Sequence, residues 1–287
     1  MSLLATVFAD PGGMAPVTSD GVDGPVNAVG QVVATVATFA LAVVAVVVIG
    51  RMCVRERIAW PFAVLAGGTV TCLLEPLFDH LYGLWFPTIG QWTLFVTYGL
   101  HEPVWLPAAY LVVYGALAIW CARTLDRAPT MRTVWRLYGA LVVVAIVAEI
   151  AYISALGVYN YQDQQPFVVL GYPLFLGFVN SMSALIGGIA IHALVPHLHG
   201  RARLALATIP PLAFGVDAIG SGVLYLALRH SENPPMWLLY IGALTVVGGG
   251  ALTVRLMAML LPAGRGEALP APDDSVVPAA QRTTADA

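Results

Sequence analysis

TFALAVVAVVVIGRMCVRER, residues 38–57, runs apolar to Gly50 and then places Arg51, Arg55 and Arg57 close together. A long apolar segment closed by cations reads as a helix that crosses a bilayer and stops at the headgroups. Its valines would favour a strand in water. In hydrocarbon every backbone polar group must be paired within the segment, so the helix prevails.

The rest of the chain has the same character. Of 287 residues, 59% are hydrophobic and 10% charged, with a mean hydropathy of +0.81. A soluble domain carries about 25% charged residues. A crossing needs about 20 apolar residues, and seven segments qualify, near 28–49, 58–79, 103–121, 136–156, 173–194, 204–226 and 237–260. The expected fold is an all-α integral membrane protein, a seven-transmembrane-helix bundle over residues 26–261. Residues 1–25 read as an extracytoplasmic tail without a basic leader, and residues 262–287, rich in Pro, Ala and Asp, as a disordered cytoplasmic tail.

All 13 basic residues are arginine. Arg51, Arg55 and Arg57 follow the first segment; Arg123, Arg127, Arg132 and Arg136 lie around the third junction; Arg201 and Arg203 lie between the fifth and sixth segments. Arg255, Arg265 and Arg282 close the chain. If the spans alternate, all of these share one side and only Arg229 faces the other. The positive-inside rule then predicts an outside N-terminus and a cytoplasmic C-terminus in the cell membrane. Prolines in HEPVW, GYPLF and NPPMW are expected in the first turns of the three inward-running helices. The net charge of −3 with no basic patch excludes nucleic acid as a partner. Cys53, Cys72 and Cys121 lack motif spacing and read as small apolar filler.

TCLLEPLFDH, residues 71–80, breaks the apolar rule. Glu75 and Asp79 are four residues apart and share a helix face near the outer end of the second segment. Glu102 precedes the third. Glu149 lies about two turns inside the fourth, with Asn180 at similar depth in the fifth, and Asp217 is about 14 Å inside the sixth. Ionisable groups at such depth are expensive and pair, lose their charge or face a polar cavity. No lysine exists to pair with them. The expectation is a shared polar pocket in the outer half of the bundle, with some carboxyls holding a proton near pH 7 and acting as acid–base pairs. Plainer readings stand beside it: Glu75 and Asp79 as interfacial groups facing water, Glu102 as a helix N-terminal charge, and Asn180 with Ser181 and Ser183 as helix–helix glue. Pro210 and Pro211 would kink the sixth helix before Asp217, and Gly215, Gly220 and Gly222 leave room beside it.

The loops between spans two and three and between four and five are long and aromatic. Trp85, Trp92 and Tyr161 are expected to contact a greasy substrate carrying oxygen groups, or else to form an interfacial belt. Retinal is excluded, because its Schiff base needs a lysine. His80, His101 and His230 read as scattered, and His192, His197 and His199 as a cytoplasmic group without acid partners, so neither metal nor cofactor is expected. No repeat relates the two halves of the chain.

EPLFDHLYGLWFPTIGQWTLFVTYGLHEPVWLPAAYLVVYG, with the later GVYNYQDQQPFVVLGYPLFLGFVNS, resembles the AveC-like spirocyclase family over about residues 70–120 and 149–185. His101 and Glu102 in HEPVW depart from that pattern. The resemblance implies a multi-pass membrane protein that closes a polyketide dihydroxy-ketone to a spiroketal, with an associated dehydration. Such closure needs an acid, a base and stabilisation of an oxocarbenium ion, which carboxyls in a low-dielectric pocket supply. Glu75 and Asp217 lead as acid and base, with Asp79, Glu102 and Glu149 as partners and Asn180 as a substrate-binding group. The competing readings are an integral membrane terpene cyclase, whose aromatic pocket would shelter a carbocation, and a proton-coupled transporter or sensor.

Overall fold

The computed structural model describes residues 24–163, 165–259 and 261. The two predicted tails lie almost wholly outside the described residues. Among the described residues seven helices are long and apolar enough to cross a membrane: Ala28–Glu56, Trp60–Tyr82, Leu106–Arg127, Met131–Ala155, Leu176–His197, Gly200–Gly220 and Met236–Met259. They are called spans one to seven below. A short helix, Val223–Arg229, follows span six after a turn at Ser221 and Gly222.

The fold is not purely helical. Three two-stranded antiparallel sheets close one end of the bundle. Strands β1 (Leu84–Trp85) and β4 (Asn160–Tyr161) join two loops; β2 (Thr93–Thr97) and β3 (Leu100–Pro103) form one hairpin; β5 (Val168–Val169) and β6 (Tyr172–Pro173) form another. This corrects the placement of two prolines. Pro103 and Pro173 end strands, and spans three and five begin three residues later, at Leu106 and Leu176. The cause is local. Tyr98 and Gly99 have φ of 55° and 75°, and Leu170 and Gly171 have 50° and 79°. Two consecutive residues with positive φ make the primed two-residue turn that matches strand twist.

The two ends of the bundle differ in chemistry. At one end Arg123 reaches Glu56 (2.5 Å) and Asp126 (3.0 Å), and His192 Nδ1 meets Asp126 at 2.7 Å. Of the three histidines 192, 197 and 199, His192 therefore does have an acid partner, because the C-terminal turns of spans three and five lie side by side. At the hairpin end Arg229 pairs with Asp163 at 2.8 Å. Span one packs loosely and shows most of its valines outward. It nevertheless pins the first loop: Gln31 donates to Gly90 O (3.2 Å) and accepts from Trp92 N–H (2.6 Å).

The spans are irregular where the sequence carries polar groups or proline. Span two passes through a 3₁₀ turn at Cys72–Leu74 before Glu75–Tyr82, where Pro76 lacks an N–H. Span three contains a π segment, Leu111–Ala116, and span four ends in another, Ala151–Ala155. Span six starts as 3₁₀ helix, Gly200–Thr208, and becomes α at Ile209, with Pro210 and Pro211 in the first α turn where a missing N–H costs little. All three cysteines are buried and free.

Candidate functional site

Glu102 reaches the interior through its hairpin. The residue before a proline is held extended, and alternate strand residues face opposite sides. Leu100 and Glu102 therefore turn inward together, and both are buried, while His101 faces the other way. Glu102 is 0% exposed, and neither carboxyl oxygen has a hydrogen-bond partner. Its helix-terminus reading fails, since span three starts four residues later. Burial alone pushes its carboxyl up to about 8.

Glu75 and Asp79 occupy one face of the last two turns of span two, as their spacing predicts, and both are buried in protein rather than facing water. Gly83 (φ 74°) caps that helix, its N–H bonding to Asp79 O at 2.6 Å. Neither oxygen of Asp79 receives a hydrogen bond from an amide or hydroxyl, and its carboxyl lies at hydrogen-bond range of Glu75. Glu75 lies beside Asp79 and within Coulombic reach of Glu102 and Glu149. Glu75 and Asp79 thus have both Glu102 and Glu149 within Coulombic reach, and Arg229, the arginine at this end among the described residues, is engaged with Asp163.

Glu149 differs from Asp79 and Glu102 in having both oxygens satisfied by hydroxyl and amide donors. Tyr159 Oη donates to Oε2 at 2.7 Å and Asn180 Nδ2 donates to Oε1 at 3.2 Å. Asn180 also approaches the Tyr172 hydroxyl at 3.5 Å. Burial and the nearby Glu149 charge raise the phenols of Tyr159, Tyr161 and Tyr172, which keeps them as donors. The Tyr161 hydroxyl is buried without a partner. Phe86, Trp105, Tyr152 and Tyr159 form a connected set of rings, with Phe86 to Tyr159 at 5.5 Å and Trp105 to Tyr152 at 5.2 Å.

Two parts of this site are built alike. Glu75 and Glu149 each stand eight residues before a glycine with positive φ, Gly83 and Gly157. Each is followed by an X–Gly hairpin, then by a buried polar residue before proline, Glu102 in one and Tyr172 in the other. The relation links spans two and three to spans four and five, which comparison of the chain's two halves overlooks.

Asp217 stands apart. Its carboxyl accepts from Ser183 Oγ and Ser221 Oγ, both at 2.7 Å. Tyr114, in the π segment of span three, is within Coulombic reach of Glu75, Glu149 and Asp217 and is the group the two acid sites share. Trp85 is half-buried in β1, and Trp92 is 47% exposed, its carbonyl accepting from Val104 N–H at 2.9 Å. His80 and His230 are not scattered, since their rings lie 6.3 Å apart. Among the described residues no three His, Cys, Asp or Glu side chains gather in a metal-holding group. Sequence reading missed Tyr159, Tyr172 and Ser221 as partners; their only signal was a polar or aromatic residue near an apolar span's end.

No protein-family model matches this chain, and neither the curated proteins nor the solved structures contain a match.

Proposed function

We propose that this chain is a multi-pass protein of the cell membrane whose hairpin-end carboxyls carry out cofactor-independent acid–base chemistry on a hydrophobic, oxygenated small molecule. The carrying observation is Glu102, 0% exposed with both carboxyl oxygens unpartnered, within Coulombic reach of the buried pair Glu75 and Asp79, whose carboxyls face each other at hydrogen-bond range. Buried polar groups are almost always satisfied, and an exception beside two further carboxyls marks groups reserved for a ligand.

The arginines set the orientation. Those at residues 51–57, 123–136 and 201–203, with Arg255, cluster at one end, and Arg229 lies at the other. The positive-inside rule makes the first end cytoplasmic and puts the N-terminus and the hairpins outside.

The resemblance to AveC-like spirocyclases supplies the reaction class. Two hydroxyls add to one ketone and one water leaves, giving a spiroketal. A protonated carboxyl, Glu102 or its neighbour Asp79, gives its proton to the departing hydroxyl. An ionised one, Glu75 or Glu149, takes the proton of the attacking hydroxyl, and the remaining negative charge steadies the oxocarbenium ion. Asp217 has no part in this step, because its carboxyl lies outside the four-acid group.

The ring set of Phe86, Trp105, Tyr152 and Tyr159 favours a second reading, a membrane terpene cyclase, since aromatic faces stabilise carbocations. Mass spectrometry of metabolites from cells with the intact gene, a deletion, and Glu75→Gln with Glu102→Gln tests both. A precursor differing from the product by one water supports spiroketal closure, and a prenylated isomer supports the terpene reading. An unchanged profile removes both and leaves a proton-coupled transporter or sensor.

A further inference from the structure

The acid cluster does not use the cleft that Asp217 lines. This cleft has a volume of ≈ 330 Å³ and lies between spans six and seven, with Ile186 of span five beside its floor. One wall carries Val216 and Val223, 68% and 64% exposed, and the other carries Thr245, Gly249 and Thr253. Asp217, 2% exposed, and Ser221 form its polar part. None of the four clustered carboxyls reaches it.

Three independent features make it a built site. First, the wall is hollow by composition: a Cβ added at Gly220 or Gly249 would meet nothing within 4 Å. Second, the helix is interrupted just past the acid, span six ending at Gly220 and helix resuming at Val223, while Ser221, still helical and bonded through its N–H to Asp217 O, turns its hydroxyl back one turn onto the Asp217 carboxyl. Third, Asp217 is the only ionisable lining residue, and Ser183 holds it from behind through an adjacent span. A carboxylate can accept about four hydrogen bonds, so two serine donors leave capacity for a ligand.

We propose that this cleft binds a molecule dissolved in the bilayer, with a hydroxyl head that donates to Asp217 and a hydrocarbon body that lies against Val216 and Val223. The rim is apolar and belongs to membrane spans, so water-soluble ligands have no favourable approach. The volume sits at the lower end of small-molecule sites, about 300–1,000 Å³. The inference stands without the chemistry assigned to the hairpin end.

The test uses the full chain in phosphatidylcholine nanodiscs and a long-chain alcohol bearing a diazirine and an alkyne, beside its methyl ether. The expected result is photolabelling of peptides 216–224 and 245–253 by the alcohol. The ether should label about tenfold less, the loss of one hydrogen bond to a charged group. Gly249→Leu should abolish the label by filling the cleft, and Gly220→Leu replaces it if Gly249→Leu melts below the wild type. Equal labelling by alcohol and ether, or undiminished labelling of the filled variant, overturns the proposal. So does an unlabelled wild type that is dimeric and becomes monomeric on Gly249→Leu, which would make the small-residue face a helix contact.

Discussion

The Tyr159 hydroxyl donates to Glu149 at 2.7 Å, whereas the hydroxyl of Tyr161, two residues on, is buried without a partner. The two phenols therefore respond differently to the loss of one oxygen. Tyr159→Phe leaves a carboxyl oxygen unsatisfied and is expected to cost about 1.5–3 kcal/mol. Tyr161→Phe removes an unpaired polar atom and is expected to be neutral or stabilising. Melting of both variants in detergent micelles checks this, and equal losses would show that the Tyr159 hydrogen bond carries no weight.

Glu102 gives the protein a pH dependence of known sign. Burial raises its carboxyl from the ordinary 4.5 to about 8. Between these values the folded state keeps a proton that the unfolded chain has released. Its contribution is fully present below about 4.5 and is lost as pH rises through about 8. Glu102→Gln removes that slope. Its melting temperature is expected to exceed that of the parent increasingly from pH 6 to pH 9. Parallel curves would mean that Glu102 is ionised and solvated in the folded protein.

The seven spans were legible because length and apolarity alone specify a crossing helix, and Glu75 with Asp79 followed from a four-residue spacing. The hairpins were not legible. Their determinants are Tyr98–Gly99 and Leu170–Gly171, two short turns inside aromatic segments that hydropathy reads as helix starts. With Pro103 in the first turn of a helix Glu102 is a terminal charge; with Pro103 in a strand it is an inward-facing residue. The His192–Asp126 contact was hidden for a different reason. It joins spans three and five, and neighbour relations between spans are set by packing rather than by local pattern.

Asp217 is tied to its surroundings by one local and one distant serine. Ser221 is four residues along the chain, and Ser183 belongs to span five. Each Ser→Ala change withdraws one donor from a buried carboxyl and is expected to cost about 1–3 kcal/mol. A double-mutant cycle of Ser183→Ala with Asp217→Asn should show coupling of about 1 kcal/mol or more, as for residues in one network. Additive losses would mean that the Ser183 hydroxyl does not hold Asp217.

The two related hairpins provide an internal comparison. Gly99 and Gly171 have nearly the same backbone, φ 75° and 79°, so alanine at either position meets the same left-handed penalty of about 1–2 kcal/mol. Their surroundings differ. A Cβ at Gly99 has nothing within 4 Å, whereas one at Gly171 falls 2.8 Å from Ile153 Cγ2 in the π segment of span four. Gly171→Ala must therefore move either Ile153 or strand β6, and β6 carries Tyr172 to Asn180 and, through it, to Glu149. The expected outcome is a stability loss for Gly171→Ala at least about 1 kcal/mol beyond that of Gly99→Ala, the usual scale of an overpacking cost. Ile153→Ala in the Gly171→Ala background should recover part of this excess, despite its own cavity cost, because it removes the obstructing methyl. Equal losses for the two glycines, with no rescue, would place the second hairpin farther from span four than the structure has it.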